Sequence, residues 1–308
     1  MKNRKVLSGI LNHCYQRTVN GYLLFYTIFD CLVFFTLFCT IIKKYEIRAV
    51  ALTLMPDHIH DSLIVWRKKD LSSFIQELTC RFAFMNNKEC NRKTPLFKHP
   101  FGSVPKRGDK AARTNIIYLG NNPVERRLCE KAEQYQWNFL GYAISPCPFS
   151  ERLVLRNASW ALRRAIKEVN GKHADNNYLS YSFLRRIYKN LEDKERRQLT
   201  DYIVSLYNVI DYSYGISLFG SYDNMIHAMH YSTGSEYDIN EIFTGKNDIH
   251  YARVGAYLKQ KLNLKDIHKL FFLSEEKRVD LFMDTLKEVA IPPEQLAKYL
   301  RIPLVREK

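Results

Sequence analysis

The chain has 308 residues, of which 46% are hydrophobic and 13% aromatic. This composition excludes a disordered chain and a collagen-like or linker-type chain, because 18 Phe and 20 Tyr can build a core and only 12 Gly and 10 Pro are present. The formal net charge is +15, and residues 1–150 carry 22 basic and 11 acidic side chains, a net of +11. A polyanionic partner would therefore meet the N-terminal half.

The seven cysteines are odd in number and form no CxxC pair. They therefore encode neither a disulfide framework nor a zinc ribbon. The N-terminus is basic but lacks the apolar region and the small-residue cleavage site of a secretory signal. We expect a reducing, cytoplasmic location.

The most apolar stretch, residues 22–42, has about the 20 residues that a bilayer span needs. Asp30 and three threonines interrupt it, and a polar segment and a strand pattern follow directly. These features favour a buried core helix over the alternative of a membrane anchor.

The N-terminal half predicts alternating strands and helices. In chain order these are a strand at 10–19, a helix at 28–44, strands at 46–54 and 58–66, a helix at 70–87 and an extended segment near 95–104. This order indicates a ferredoxin-like antiparallel sheet, and hence an α+β fold. A basic loop rich in Gly and Pro (99–113) and a short helical segment (114–122) that ends near Pro123 are expected to follow.

Beyond residue 150 the pattern becomes helical, with helices expected at 159–169 and 184–210 and several shorter ones. Two prolines within residues 145–150 mark the change. We therefore divide the chain into an N-terminal domain, 1–148, and an all-α accessory domain, 149–308. A Pro-broken helical pair near 275–303 has the pattern of a helix-turn-helix, and equally of an ordinary helical hairpin.

The motif His58-Ile59-His60 opens an apolar strand pattern. Residues i and i+2 of a strand point to the same face, so the two imidazoles would converge on one point and form a bidentate metal site. Two ordinary strand histidines remain the alternative for the motif on its own. A second pair, His227 and His230, has helical spacing but no obvious carboxylate partner, and we interpret it as structural.

Tyr118 and Asn122 have the i, i+4 spacing that would place a phenol and an amide on one face of a helix. The phenol is a candidate nucleophile, and the amide oxygen is a candidate ligand for a hard metal ion. Pro123 leaves the helical phase at Asn122 open, because the residue before a proline is biased away from helical angles. A buried tyrosine beside a helix-ending Asn-Pro is the alternative.

Taken together, these motifs resemble the HUH single-strand DNA transposases that use one catalytic tyrosine, in particular their REP-associated tyrosine transposase branch. The resemblance covers about residues 8–143. The matching elements are YQRT at 15–18, MPDHIH at 55–60, the basic turn from Phe101 to Lys106, and the segment from Tyr118 to Asn122-Pro123-Val124.

The resemblance implies a ferredoxin-like nuclease core in which His58, His60 and Asn122 are ligands of Mg²⁺ or Mn²⁺ and Tyr118 is the nucleophile. It further implies single-stranded or hairpin DNA as the substrate, which would be cleaved and rejoined through a 5′-phosphotyrosine. A phenol with a pKa near 10 is a poor nucleophile at neutral pH, and a metal ion that polarises the phosphate supplies what it lacks. No Walker-type phosphate loop is present.

Basic residues around the tyrosine are the expected DNA contacts. They are Arg17, Lys98, Lys106, Arg107, Lys110 and Arg113. A solvated charged surface is the alternative for this run. Phe97, Phe101 and Trp66 are candidates for stacking on unpaired bases, and equally for the core.

We therefore expect a DNA-cleaving and strand-transferring enzyme, a monomer or homodimer, that is not bound to a membrane. The competing interpretation is a domesticated, sequence-specific DNA-binding protein that has no catalytic activity.

Overall fold

The computed structural model describes residues 5–232 and 247–303. Its sheet has four antiparallel strands in the order β2-β3-β1-β4. The elements of this region are β1 (Leu11–Arg17), α1 (Ile28–Ile42), β2 (Ile47–Met55), β3 (His58–Val65), α2 (Lys68–Glu89), β4 (Gly102–Lys106) and α3 (Gly108–Glu125). This β-α-β-β-α-β order confirms the predicted ferredoxin-like sheet and the α+β class.

Helix α1 is a core helix, and 13 of its 15 residues are buried. Asp30 lies in its first turn, where its carboxylate accepts the backbone N–H of Thr27 at 2.8 Å and the Thr27 hydroxyl accepts the N–H of Asp30. This reciprocal capping satisfies donors that would otherwise have no partner at the start of a buried helix. No helix of the described residues is long and apolar enough to cross a membrane.

Part of the segment predicted as a basic loop is regular structure. Residues 102–106 form β4, an edge strand, which tolerates Pro105 because its outer side needs no ladder hydrogen bond. The extended segment predicted near 95–104 therefore lies a few residues further along the chain. Helix α3 begins at Gly108 and ends at Glu125, near Pro123 as predicted, but it begins before the predicted segment 114–122 and includes the proline.

The C-terminal half contains further helices. They are α4 (Trp160–Ala174), α5 (Tyr181–Tyr188), α6 (Asp193–Tyr207), α7 (Tyr212–Ser217), α8 (Tyr222–His230), α9 (His250–Lys261), α10 (Glu275–Glu288) and α11 (Pro293–Leu300). The single helix predicted over 184–210 is in fact α5 and α6. Leu191 lies between these two helices and is buried. The Arg196 guanidinium donates to the Leu191 carbonyl oxygen at 2.8 Å and so replaces the hydrogen bond that a continuous helix would supply.

Two clusters of buried side chains connect the halves of the chain. In the first, α4, α5 and α6 share one apolar cluster with α1 and with one face of the sheet. In the second, α9, α10 and α11 pack around Leu23 and Cys90. We call residues 247–303 the C-terminal unit. The predicted helix-turn-helix corresponds to α10 and α11. Its binding to DNA stays a prediction. Five of the eight residues of α11 are buried.

Candidate metal and nucleophile site

The candidate site lies between the sheet and α3. His58 and His60 lie on β3, with side chains on the face that α3 covers, whereas Ile59 belongs to the core on the opposite face. Tyr118 and Asn122 both lie on α3 and are buried. The ring of Tyr118 lies 5.4 Å from that of His60, and the Asn122 amide nitrogen lies 3.3 Å from Nε2 of His60.

Pro123 does not disturb the phase of α3. A proline has no N–H to donate to the carbonyl four residues earlier, which here is that of Leu119. The Thr53 hydroxyl on β2 donates to this carbonyl oxygen instead, at 3.0 Å. The helix therefore continues, and Tyr118 and Asn122 face the sheet together.

His60 is held from two sides. Its Nδ1 shares a hydrogen bond of 2.9 Å with Nε2 of His13 on β1, and the Asn122 amide donates to its Nε2. An Nε2 that accepts a hydrogen bond requires the proton on Nδ1, which then donates to His13. Burial lowers the pKa of His60 well below its usual value, and the charges of His58, His13 and Arg17 lower it further. His60 is therefore a neutral imidazole whose Nε2 carries a lone pair.

His58 is oriented by its sequence neighbour. The Asp57 carboxylate accepts a hydrogen bond of 2.5 Å from Nδ1 of His58, which directs Nε2 away from Asp57. Burial alone would raise the pKa of Asp57, but His58 and Arg126 outweigh it and lower this pKa, so the carboxylate stays ionised. Metal-binding histidines in proteins are commonly oriented by a partner on their second nitrogen in this way.

The donor set fits a divalent cation. Two imidazole Nε2 atoms have partners on their Nδ1 atoms, and an amide group lies beside one of them. Amide nitrogen and oxygen exchange places on a 180° rotation, so the Asn122 oxygen can occupy the position of its nitrogen. Two imidazoles and one amide oxygen leave coordination positions open for phosphate and water.

Asp61 is not part of this set, although it follows His60 directly. It lies on the opposite face of the sheet, beside Cys14, where burial raises the pKa of its carboxyl group to about 7. Strand alternation therefore separates it from the two histidines.

Three residues that the sequence analysis did not single out contact the site. They are His13, Asp57 and Arg126. Asp57 lies within the MPDHIH motif, so adjacency to His58 was an available signal. His13 was not detectable by spacing, because it reaches His60 through the pairing of β1 with β3. Arg126 ends α3 and lies 3.9 Å from Asp57 and 3.4 Å from Asp248.

The predicted DNA-binding residues lie in two places. Arg17 pairs in register with His58, and the backbone N–H of Lys98 bonds to the Arg17 carbonyl, so both are at the histidine end of the sheet. Lys106 pairs with Leu11 at the other end of β1, where Arg107 is the N-cap residue of α3 and Lys110 lies in its first turn.

Arg113 and the aromatic candidates differ in exposure. Arg113 is half-buried and donates to the Leu218 carbonyl at 3.3 Å. Phe97 and Phe101 belong to the core, whereas Trp66 is half exposed. Of the three, Trp66 therefore has the most accessible ring.

Another group of metal-ligand side chains lies at the C-terminal unit. Ligand atoms of Glu89, Asp266 and His268 lie within 4.8 Å of one another. Arg185 contacts both carboxylates, and His268 bonds to Asp30 at 3.0 Å and to Asp266 at 2.9 Å. Burial would lower the pKa of His268, but Asp30 and Asp266 outweigh it and raise the pKa to about 10. A protonated imidazole has no lone pair for a metal, so we interpret this group as a buried ion-pair network.

The structure therefore places the His-Ile-His motif on an inner strand of a ferredoxin-like sheet and a tyrosine on the helix that faces it. A family model described as "Transposase IS200 like" matches residues 31–104. This segment contains His58 and His60, and over it the predicted resemblance to the HUH transposases is confirmed. Tyr118 and Asn122 lie beyond the matched residues.

Among solved structures, the chain is similar to a REP-associated tyrosine transposase bound to a REP hairpin. The sequence identity is 16%, the TM-score is 0.39, and the similarity covers 44% of this chain and 80% of the other. No curated protein matches the sequence.

Proposed function

We propose that this chain is a metal-dependent transposase or endonuclease that cleaves and rejoins single-stranded DNA through a 5′-phosphotyrosine on Tyr118. The observation that supports it best is the environment of His60. This imidazole is neutral, is oriented by His13, and lies beside both Asn122 and the Tyr118 ring. The same face of the sheet carries His58 with its Asp57 partner.

His58, His60 and Asn122 would hold Mg²⁺ or Mn²⁺. A divalent cation in this position neutralises charge on the scissile phosphate and polarises it. The protein's own contribution is orientation: Asp57 and His13 bond to the two Nδ1 atoms and leave both Nε2 atoms for the cation, and α3 keeps Asn122 beside the Nε2 of His60.

Tyr118 would supply the nucleophilic oxygen. As its oxygen attacks phosphorus, the phenol gives up its proton; a bond to the tyrosine oxygen forms, the bond to the 3′ oxygen breaks, and that oxygen takes up a proton and leaves as a hydroxyl. The fragment downstream of the cleaved bond stays on the protein, joined to the tyrosine through its 5′ phosphate. Because one phosphodiester replaces another, attack by a 3′-hydroxyl reverses the step and needs no ATP.

The burial of Tyr118 favours the second candidate function, a DNA-binding protein without catalytic activity. Tyr118 is 4% exposed, His58 6% and His60 fully buried. A DNA strand reaches these groups only when an element that covers them, such as α3, moves. A chain in which no such element moves would bind DNA by its basic surface alone.

The covalent adduct distinguishes the two functions, because a binding protein leaves no bond that survives SDS. Single-stranded DNA from the flanks of the encoding gene, with its hairpins, is incubated with the full chain and Mg²⁺ or Mn²⁺ and run on a denaturing gel. We expect a metal-dependent band shift, its loss in EDTA and in Tyr118→Phe, and poor reaction with duplex DNA.

Tyr15→Phe is the matched control. Tyr15 lies on the same face of the sheet as His13, with ring centroids 6.0 Å apart, and is therefore the neighbouring phenol best placed to react in error. Tyr135 and Tyr142 bond instead to Leu54 and Asp201. An adduct that persists in Tyr118→Phe and maps to another tyrosine would refute the site assignment. Absence of any adduct would favour the DNA-binding function.

A further inference from the structure

The C-terminal unit is joined to the segment that supports the histidine motif. Arg301, which follows α11, donates to the carbonyl oxygen of Leu23 at 2.9 Å and to the Tyr26 hydroxyl at 3.0 Å. Its guanidinium lies 4.5 Å from the ring centroid of Phe271 and 5.0 Å from that of Tyr26. The Tyr26 hydroxyl in turn donates to the Tyr299 carbonyl at 2.9 Å. The position of α11 is therefore set by residues 23–26.

Residues 23–26 also support the turn before His58, since the Leu24 N–H donates to the Pro56 carbonyl oxygen at 2.6 Å. At the end of β1, the Thr18 hydroxyl donates to the Asp57 carbonyl oxygen of the same turn at 3.3 Å. A second link runs from Asp57 through Arg126 and Asp248 to Gln295 on α11, with the last contact at 3.4 Å. Helix α11 is thus connected to the site by two independent routes.

These links bring Lys298 of α11 to the edge of the site. A Cβ atom on Gly21 would lie 3.3 Å from the Lys298 ammonium and 3.4 Å from its Cε, so the lysine passes closely over the glycine backbone, which has a φ of +64°. Lys298 is half-buried, and Gly21 donates its backbone N–H at 3.3 Å to the carbonyl oxygen of Thr18, the residue whose hydroxyl contacts Asp57. Within the part of the chain that the structure describes, no hydrogen bond or ion pair engages this ammonium.

The Asp57 carboxylate is already engaged. It bonds to His58 and faces Arg126, and Arg126 also contacts Asp248. Lys298 adds a cation at this edge that no hydrogen bond or ion pair of the described residues engages. Such a half-buried ammonium, beside a site for a phosphodiester, is suited to a backbone phosphate.

We propose that Lys298 binds a DNA backbone phosphate at the edge of the His58–His60 site, so that the C-terminal unit completes the substrate-binding surface. The proposal rests on the proposed function and adds a residue that lies far beyond the segment matched by the transposase family. It also gives the C-terminal unit a role in binding substrate that does not require a helix-turn-helix to enter a DNA groove.

The test is the salt dependence of binding. Full-length Tyr118→Phe protein is titrated with the fluorescent single-stranded flank DNA in EDTA over a series of salt concentrations, so that neither cleavage nor metal contributes. Each phosphate contact on a single strand contributes about 0.7 to the slope of log K against log salt. We expect Lys298→Gln to reduce the slope by about 0.7 and Lys298→Arg to restore it.

Lys287→Gln is the control, because Lys287 is exposed on α10 in the same unit, near the Asp284–Lys261 pair. It should leave the slope unchanged, and the melting temperatures of the variants should agree. An unchanged slope in Lys298→Gln, or an equal reduction in Lys287→Gln, would overturn the role of Lys298. Absence of salt-dependent binding in the parent protein would also overturn it. None of these results depends on the adduct assay, which tests the proposed function separately.

Discussion

The hydroxyl of Thr53 donates to the carbonyl oxygen of Leu119, the carbonyl that Pro123 leaves without its usual helical donor. Both Thr53 and Leu119 are almost fully buried. Thr53→Val keeps the shape of the side chain and removes this donor. We expect the free energy of unfolding to fall by about 1–3 kcal/mol, the cost of leaving a buried carbonyl unpaired. Urea denaturation would measure it.

A second substitution separates this bond from general packing. Pro123→Ala supplies a backbone N–H that can donate to Leu119. Thr53→Val should therefore cost less in the Pro123→Ala background than alone. Equal costs in both backgrounds would show that the hydroxyl does not replace the missing helical donor.

Local periodicity was sufficient to predict much of the site. His58 and His60 share a face because strand side chains alternate, and Tyr118 and Asn122 share one because four residues make about one helical turn. The doubt that Pro123 raised about Asn122 could not be resolved locally, since the compensating donor, Thr53, lies 66 residues from Leu119 in sequence.

Features set by long-range pairing could not be predicted. His13 contacts His60 only through the register of β1 against β3. The basic residues that precede Tyr118 in sequence lie at opposite ends of the sheet, because the chain crosses the sheet along β4 between Lys98 and Lys106. Helix α1 is buried from Asp30 onward because α5 and α6 pack on it, and periodicity alone does not distinguish that environment from lipid.

The partners of the two proposed ligand histidines should control metal affinity. We expect His13→Phe and Asp57→Ala each to weaken Mn²⁺ binding by about 10–100-fold, because they leave a proposed ligand in place but remove the partner of its Nδ1. His60→Ala should weaken binding more, since it removes a ligand. Mn²⁺ titration followed by electron paramagnetic resonance measures free metal directly.

His227→Gln controls for the metal titration, because His227 is exposed on α8. It should bind Mn²⁺ like the parent protein. Unchanged affinity in His60→Ala would place the metal elsewhere and contradict the assignment of the site.

Lys110 and Arg113 were predicted as equivalent DNA contacts, and their positions predict different behaviour. Lys110 is exposed, so Lys110→Gln should change stability by less than about 0.5 kcal/mol. If it contacts a phosphate, the salt slope for single-stranded DNA should fall by about 0.7. Arg113 bonds to Leu218, so Arg113→Gln should lower the free energy of unfolding by about 1 kcal/mol and leave the slope unchanged. Reversed results would contradict this assignment.

The buried ion pair between Asp30 and His268 should stabilise the contact of α1 with the C-terminal unit. His268→Gln leaves the Asp30 carboxylate buried without its cation, and we expect a loss of about 3–5 kcal/mol in the free energy of unfolding at pH 7. Asp30→Asn combined with His268→Gln should cost less than the sum of the two single changes, because no charge is then left unpaired. Simple additivity in urea denaturation would contradict the coupling.

The pH dependence of stability gives an independent test of the same pair. The pKa of His268 is raised to about 10 in the folded protein, against about 6.5 in the unfolded chain. The unfolded chain releases this proton first, so the contribution is complete below about pH 6.5 and is lost as the pH rises towards 10. The free energy of unfolding should therefore fall between pH 7 and pH 10 more steeply in the parent protein than in His268→Gln. Parallel curves for the two proteins would mean that His268 is not protonated in the fold, and the group with Glu89 and Asp266 would again be a candidate for metal binding.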